Sequence, residues 1–240
     1  IGGEIVKARL ISSWGVSGIN AIASVVVDKA MQALSVAIWG LVGVSTLLIY
    51  STDDELALYA TIGFVILLCC AIGFLIVQRL GMLGILATLG GKLIKTDYWQ
   101  GVTFSAKEID AVILDIYRHK LRIIFAVSLK TLSLILQTGE VWLACYLLGH
   151  PIGLLEAVLL KSLTTTLSDI AFIIPNAYGI QEGAYILIGA IIGLPADISL
   201  AVSLAVRIRD IVFDPAGLLT YQNIESKKLL EKIDNQPLQP

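Results

Sequence analysis

Long uncharged apolar blocks, separated by short polar segments, make up most of the chain. Met31–Tyr50 covers 20 residues without a charged side chain, and Leu56–Gln78 covers 23. A helix of about 20 apolar residues is long enough to cross the roughly 30 Å hydrocarbon core of a bilayer. Because only Ser51–Glu55 separates the two blocks, the pattern favours two membrane-spanning helices over buried helices of a soluble domain.

The same pattern predicts four full spans and one pair of shorter apolar segments. The spans lie at about 19–50, 56–78, 121–148 and 198–221, the shorter pair lies at about 154–174 and 178–194, and residues 79–120 are cytoplasmic or interfacial. Gly183–Leu194 has only 12 residues, about 18 Å as a helix, which is too short to cross the core. We therefore expect a re-entrant pair; the alternative is that the second segment starts at Tyr178 and crosses fully.

Lysines and arginines set the expected orientation. Seven of them lie between positions 79 and 122 and three lie in the C-terminal tail, whereas the segments 51–55 and 149–153 hold none. Because short cytoplasmic loops carry an excess of these residues, we expect residues 79–122 and the C-terminus to face the cytoplasm of a bacterial inner membrane.

Composition agrees with a membrane protein and gives little support to other classes. Hydrophobic residues make up 57% of the chain and charged residues only 15%, against about a quarter in soluble domains. The net charge of -2 gives no basic surface, so no nucleic-acid partner is expected. The cysteines Cys69, Cys70 and Cys145 lie inside apolar blocks, and His119 and His150 lie in different loops. This spacing matches no metal site, so we expect no metal and no cofactor.

The start of the chain and its motifs bound the function further. The sequence begins at Ile1 rather than at a methionine and has no signal-peptide pattern, so we expect a single membrane domain over 1–240 that is truncated at its N-terminus. The sequence contains no Walker-type loop, no GxSxG and no HExxH, so we do not expect an enzyme.

Charged and polar residues within the apolar segments are the candidates for function. Each charge placed in a span costs about 2.5–3.5 kcal/mol on insertion scales, so it normally faces a bundle interior or a wet cavity. Lys130 and Glu140 are ten positions apart, too far to pair on one helix, and each needs a partner elsewhere. Arg207 and Asp210 are three apart and share a helix face. The candidate substrate-binding residues are Glu4, Lys130, Glu140, Asn176, Gly179, Gln181, Glu182, Arg207 and Asp210. The alternative for these charges is a purely structural set of ion pairs.

The segment Pro175–Gly183 is the most informative of the chain. Proline ends a helix and glycine permits a backbone turn, so this segment predicts the tip of the re-entrant pair. A half-helix that starts after Glu182 would present free N–H groups and a positive dipole end, which suits an anionic headgroup. The alternative is an ordinary loop between helices.

The spacing of charges also indicates an internal repeat. Lys29 lies 25 positions after Glu4, and Arg207 lies 25 positions after Glu182. The predicted orientation makes the two segments run in opposite directions, as an inverted repeat requires. Chance similarity between two apolar stretches is the alternative. The predicted fold class is all-α: a polytopic integral membrane protein with re-entrant helices and an inverted repeat.

Several motifs together resemble a known family. They are Gly3-Glu4 with Arg9, Arg79-Leu80-Gly81-Met82-Leu83-Gly84, Gly139-Glu140-Val141-Trp142-Leu143-Ala144, Leu148-Gly149-His150-Pro151, the stretch 171–183, and Arg207-Ile208-Arg209-Asp210. With these motifs the chain resembles the membrane domain of lysylphosphatidylglycerol synthases, the flippase-like domain family. Within that family it looks most like the hopanoid-biosynthesis-associated HpnL-type membrane proteins.

The resemblance implies a flippase-like protein that translocates or binds a polar or anionic membrane lipid, such as a hopanoid or a modified phospholipid. Glu4, Glu182 and Arg207 would then line a cavity near the membrane midplane. One alternative is a non-transporting membrane subunit that positions a lipid-biosynthesis enzyme, with the amphipathic stretch Ile109–Ile116 as its docking surface. Ser105 and Glu108 before this stretch have the spacing of a capping box, which predicts a helix that starts after Ser105. A second alternative is an ion-coupled carrier of small solutes. The sequence does not set the oligomeric state.

Overall fold

The computed structural model of the protein describes residues 2–50, 54–93, 97–170 and 177–209, with single positions beyond. These parts are helical and contain no strand, which confirms the all-α class. The helices are α1 (Gly2–Ser13), α2 (Gly18–Tyr50), α3 (Asp54–Arg79), α4 (Met82–Leu93), α5 (Asp97–Arg118), α6 (Lys120–Leu147), α7 (Leu154–Ile170), α8 (Ile180–Ile191) and α9 (196–209).

Among the described residues, three helices are long and apolar enough to cross a membrane. They comprise Gly18–Tyr50, Leu58–Arg79 and Lys120–Leu147. The large apolar side chains of α3 and α6 are mostly exposed, for example Ile66 and Leu136. An apolar surface of this extent is unusual on a soluble monomer and suits contact with lipid. The chain is therefore an integral membrane protein. These helices cover the segments 19–50, 56–78 and 121–148, whose crossing of the membrane stays a prediction.

Helix α7 lies at the centre of the bundle, packed against α2, α6 and α8. Leu159 and Leu160 are fully buried, and so are the polar residues Ser162 and Thr164 on the same helix. The hydroxyls of Ser162 and Thr164 donate hydrogen bonds to carbonyls of their own helix, Val158 O and Leu160 O, at 2.6 Å each. A helix buried on nearly all sides can carry these hydroxyls because their hydrogen bonds are satisfied locally.

Helices α7 and α8 are both short for a bilayer. They have 17 and 12 residues, about 25 and 18 Å in length. Residues 171–176, which include the first two positions of the predicted tip Pro175–Gly183, lie outside the described residues, and residues 177–179 lead directly into α8. The re-entrant arrangement therefore stays a prediction. The predicted span 198–221 corresponds to α9, which the structure describes up to residue 209.

Helices α4 and α5 form a separate layer beside α2. The sequence suggested a helix that starts after Ser105, but α5 begins eight residues earlier at Asp97, so Ser105 is inside the helix and does not cap it. The apolar face of α5, including Ile109 and Ile113, packs into a core with α2 residues such as Met31. This face is therefore covered by protein, which its amphipathic pattern alone could not show.

Candidate functional site

A compact ionic cluster joins the start of α8 to α9. Arg207 of α9 places its Nε 2.7 Å from Oε1 of Glu182, in the first turn of α8. The other oxygen of the carboxylate, Oε2, accepts a hydrogen bond of 2.8 Å from the backbone N–H of Gly179. The ring of Tyr178 lies against the guanidinium, 4.3 Å from its Cζ, as in a cation–π pair. Glu182 and Tyr178 thus hold Arg207 in one position, and Gly179 holds Glu182; we call these four residues the Arg207 site.

The local sequence explains how Glu182 reaches both partners. Gly179 adopts φ +82, a left-handed conformation that favours glycine, at the N-cap of α8. Glu182 stands three residues later, where a carboxylate can fold back onto the N-cap N–H and also lie at the positive end of the helix dipole. One oxygen is used for this cap, and the other remains for Arg207.

The remaining nitrogens of Arg207 are the unusual feature of the site. The side chain is only 8% exposed. Its Nη1 and Nη2 are buried and have no hydrogen-bond partner among the residues that the structure describes. A buried charged group normally has all of its donors satisfied, because an unmade hydrogen bond to a charge costs several kcal/mol in a low dielectric. Two adjacent guanidinium donors are therefore free for an acceptor that lies outside the described residues or outside the chain.

A second ion pair crosses from α6 to α9. Arg209 Nη1 lies 2.6 Å from Glu140 Oε2, and both side chains are about one-third exposed. Tyr185 of α8 is fully buried beside this pair, with its hydroxyl bonded to Thr164. Glu140 thus finds its partner on another helix, as the spacing required.

A third cluster lies on α1, α2 and α6. Glu4 Oε1 lies 2.8 Å from Lys29 Nζ, and Lys130 Nζ lies 2.7 Å from Asp28 Oδ1. Lys7 is within 3.8 Å of Glu4 and 3.7 Å of Asp28, which links the two pairs. We call these five residues the Glu4 cluster. Lys130 therefore also finds its partner on another helix, as its spacing from Glu140 required.

Seven of the nine residues predicted from sequence are described, and they lie in or beside these separate clusters. Glu182, Gly179 and Arg207 meet at the Arg207 site, with Gln181 in the same helical turn. Glu4 and Lys130 belong to the Glu4 cluster, and Glu140 pairs with Arg209. The contacts described for Glu4 do not include Glu182 or Arg207, so a single cavity shared by all three is not seen in the described part of the chain. Asn176 and Asp210 lie outside the described residues.

The predicted set of site residues omitted five residues that complete these clusters: Lys7, Asp28, Lys29, Tyr178 and Arg209. Asp28 and Lys29 interrupt an apolar block, and this interruption was the available signal. Asp210, which shares a helix face with Arg207 in the sequence, lies outside the described residues, and the described partner of Arg207 is Glu182. Within the described residues, no group of three histidines, cysteines or carboxylates is arranged to hold a metal ion.

A polar contact also fixes the motif Arg79-Leu80-Gly81-Met82-Leu83-Gly84. Asp110 of α5 is buried, and its carboxylate accepts hydrogen bonds from Leu83 N at 3.2 Å and Gly84 N at 2.6 Å. Gly81 has φ +86 at the turn. Beside it, Arg79 lies over the ring of Tyr117, whose hydroxyl donates to Gln78 at 2.7 Å. Burial raises the pKa of Tyr117, and the Arg79 charge opposes part of that rise.

Comparison with known proteins identifies the family. The family model described as "Lysylphosphatidylglycerol synthase TM region" matches residues 1–214, which is most of the chain and includes all three clusters. Neither the curated proteins nor the solved structures gave a match. The resemblance to HpnL-type proteins within the family stays a prediction. The chain belongs to the lysylphosphatidylglycerol synthase transmembrane-region family.

Proposed function

We propose that the protein binds and translocates a membrane lipid whose headgroup carries a phosphate, and that Arg207 contacts this headgroup. The observation that carries the proposal is the pair of buried guanidinium nitrogens, Nη1 and Nη2, that have no partner among the described residues. Membership of a membrane lipid-related family supports a lipid as the ligand.

The geometry of the guanidinium selects the ligand class. Nη1 and Nη2 present parallel N–H donors, which match two oxygens of a phosphate or carboxylate in a bidentate arrangement. Tyr178 covers one face of the guanidinium, and Glu182 occupies its Nε side. The ligand would therefore bind at the edge that carries Nη1 and Nη2. This chemistry favours a phosphate-bearing lipid, such as a modified phospholipid, over an uncharged hopanoid. A hopanoid remains the ligand that the resemblance to HpnL-type proteins would favour.

Glu182 allows the site to release an anionic ligand. Its carboxylate neutralises Arg207 in the absence of ligand, so the buried charge is compensated while the headgroup is absent. A site that must release its ligand benefits from such an internal counter-ion, because the lipid competes with a group that is already present. The proposed role is the binding and release of a lipid, without an enzymatic step. We place the protein in the bacterial inner membrane with its C-terminus in the cytoplasm.

The test is leaflet exchange in liposomes that contain the purified protein. Fluorescent phosphatidylglycerol would be reduced chemically in the outer leaflet, and its exchange measured for the wild type, Arg207→Ala, Arg207→Lys and the exposed control Lys120→Ala. We expect the wild type and Lys120→Ala to exchange lipid, Arg207→Ala to abolish exchange, and Arg207→Lys to lose most of it, because lysine lacks the second donor. Equal exchange by the wild type and a folded Arg207→Ala protein would overturn the proposal.

The polar face of α5 favours a second candidate function, a non-transporting subunit that docks a lipid-biosynthesis enzyme. The apolar face of α5 is packed against α2, whereas its charged side chains are exposed: Lys107, Glu108, Asp115 and Arg118. Charge reversal on this face would then impair lipid synthesis in cells, and the purified wild-type protein would show no lipid exchange.

A further inference from the structure

One face of α9 carries three buried polar residues in a row. Ser199, Ser203 and Arg207 are four positions apart, so they follow one another in steps of roughly 6 Å along the same side of the helix. Both serines are fully buried, and Arg207 is buried as well. The hydroxyl oxygens of the serines and the Nη atoms of Arg207 have no hydrogen-bond partner among the described residues. We call these three residues the α9 polar face.

Buried hydroxyls on the central helix α7 are satisfied by their own helix. Ser162, Thr164 and Thr166 each donate to the carbonyl four residues earlier, at 2.6, 2.6 and 2.8 Å. Serine inside a helix commonly makes this bond. Ser199 and Ser203 do not make it in the observed state. A buried donor without a partner is costly, so a row of them indicates that this face meets polar groups in another state of the protein.

Helix α8 covers both ends of the α9 polar face. At one end, Arg207 Nε lies 2.7 Å from Oε1 of Glu182, in the first turn of α8. At the other end, Ser199 packs against Gly189: a Cβ added at Gly189 would overlap the Ser199 hydroxyl and lie 3.1 Å from Ser199 Cβ. Ser203 lies midway between these contacts along α9 and is fully buried. The polar face therefore lies along the interface between two antiparallel helices.

The apolar face of α9 lies beside the polar face and is equally buried. Val202 and Val206 belong to the apolar core, together with Tyr185 and Ile188 of α8. Val202, like the neighbouring Ser203, has no exposed surface. The two faces thus differ in chemistry and not in burial, which provides matched positions for an experiment.

We infer that the interface between α8 and α9 opens during transport, and that Ser203 and Ser199 then line the path of the headgroup beyond Arg207. The inference rests on the proposed function, which places the phosphate at Arg207, and it adds the direction in which the headgroup moves from there. A hydroxyl both donates and accepts, so successive serines can replace water around the polar atoms of a headgroup. The row covers about 12 Å of the roughly 30 Å hydrocarbon core. In the observed state the path is closed.

Cysteine accessibility tests the opening. In a protein whose Cys69, Cys70 and Cys145 are replaced by alanine, Ser203→Cys and the matched control Val202→Cys would be treated with a charged methanethiosulfonate reagent on both faces of phosphatidylglycerol liposomes. Both positions are fully buried in the observed state, and a thiol reacts with this reagent as the thiolate, which forms where water reaches it. We expect Ser203→Cys to react at least about tenfold faster than Val202→Cys, a difference of about 1.4 kcal/mol. Equal rates, or no reaction at either position, would overturn the inference.

Removal of one hydroxyl tests whether the open interface carries the headgroup. Ser203→Ala deletes a donor that has no partner among the described residues, so the Tm in detergent should be unchanged or higher. Lipid exchange should fall by about tenfold, the factor for one lost hydrogen bond to a charged group. Val202→Ala should show the opposite result, a lower Tm and unchanged exchange by the folded protein, because it removes apolar contacts only.

The two readouts separate this inference from the proposed function. Unchanged exchange in Ser203→Ala would overturn the path, whatever its Tm. A wild type that exchanges no lipid while Ser203→Cys reacts would instead overturn the proposed translocation and leave the opening of the interface standing.

Discussion

At the scale of single residues, buried charges in this protein are tied to backbone groups as well as to each other. Glu182 caps the start of α8 while it holds Arg207, and Asp110 caps the start of α4 from a neighbouring helix. In both cases a carboxylate meets the positive end of a helix, where its charge is stabilised by free N–H groups. Glu182 and Asp110, charged residues in a mostly apolar sequence, therefore also cap the N-termini of helices.

Replacing Asp110 with asparagine should destabilise the protein. The amide has one acceptor oxygen in place of two, so either Leu83 N–H or Gly84 N–H loses its partner, at a cost of about 1–3 kcal/mol. Thermal unfolding in detergent measures this as a lower Tm. Asp115→Asn, at an exposed position of the same helix, should leave the Tm unchanged. An unchanged Tm for Asp110→Asn would show that the cap contributes nothing to stability.

Sequence could identify the important charges but not their partners. Glu182 and Arg207 stood out because charges are costly in apolar segments, and Lys130 and Glu140 were expected to need partners on other helices. The pairing of Arg207 with Glu182 depends on how α8 packs beside α9, which periodicity along one helix does not report. Asp28 was interpreted only as an interruption of an apolar block, and Lys29 only as the counterpart of Arg207 in the repeat, because their partners lie on other helices.

At the scale of elements, small residues set a close contact between α2 and α7. Gly40 and Gly43 of α2 face Thr166 and Ser162 of α7, so the two backbones approach closely. Helices in a membrane associate through such small-residue faces, because packing replaces the hydrophobic effect as the driving force. The long helices followed from their uncharged blocks, whereas the start of α5 was placed too late because Asp97–Phe104 carries no clear periodic signal.

Adding one methyl group at Gly43 should disturb the α2–α7 contact. A Cβ there would lie 2.9 Å from Leu163 Cδ2 and closer still to the Ser162 hydroxyl. Overpacking of this kind costs about 1–3 kcal/mol, so Gly43→Ala should lower the Tm in detergent. Gly63→Ala on α3 is the matched control, since nothing lies within 4 Å of its added Cβ, and its Tm should be unchanged or slightly higher. Equal Tm values for the two variants would contradict the close packing.

At the scale of the whole molecule, α6 separates two exposed turns. His119 precedes the helix, His150 follows it, and Lys120–Leu147 is long enough to cross the bilayer. The excess of lysine and arginine between 79 and 122 predicts that His119 is cytoplasmic and that His150 is outside. The sequence supplied this orientation, but it could not show that α7 is enclosed by other helices.

Cysteine labelling tests this topology. After replacement of Cys69, Cys70 and Cys145 by alanine, His119→Cys and His150→Cys would be treated in intact cells with a membrane-impermeant thiol reagent. We expect His150→Cys to react in intact cells and His119→Cys to react only after the membrane is opened. Labelling of both in intact cells would show that α6 does not cross the membrane.

The contact between Arg207 and a lipid phosphate is the central claim, and a direct measurement is dephasing of arginine ¹⁵N signals by lipid ³¹P in solid-state NMR. The wild type and Arg207→Lys would be labelled at arginine and placed in phosphatidylglycerol liposomes. We predict that the wild type shows one guanidinium Nη pair dephased by ³¹P that is missing from the Arg207→Lys spectrum, while signals of arginines near the membrane surface are the same in both. Identical dephasing in the two proteins would mean that no phosphate lies at Arg207 and would contradict the account.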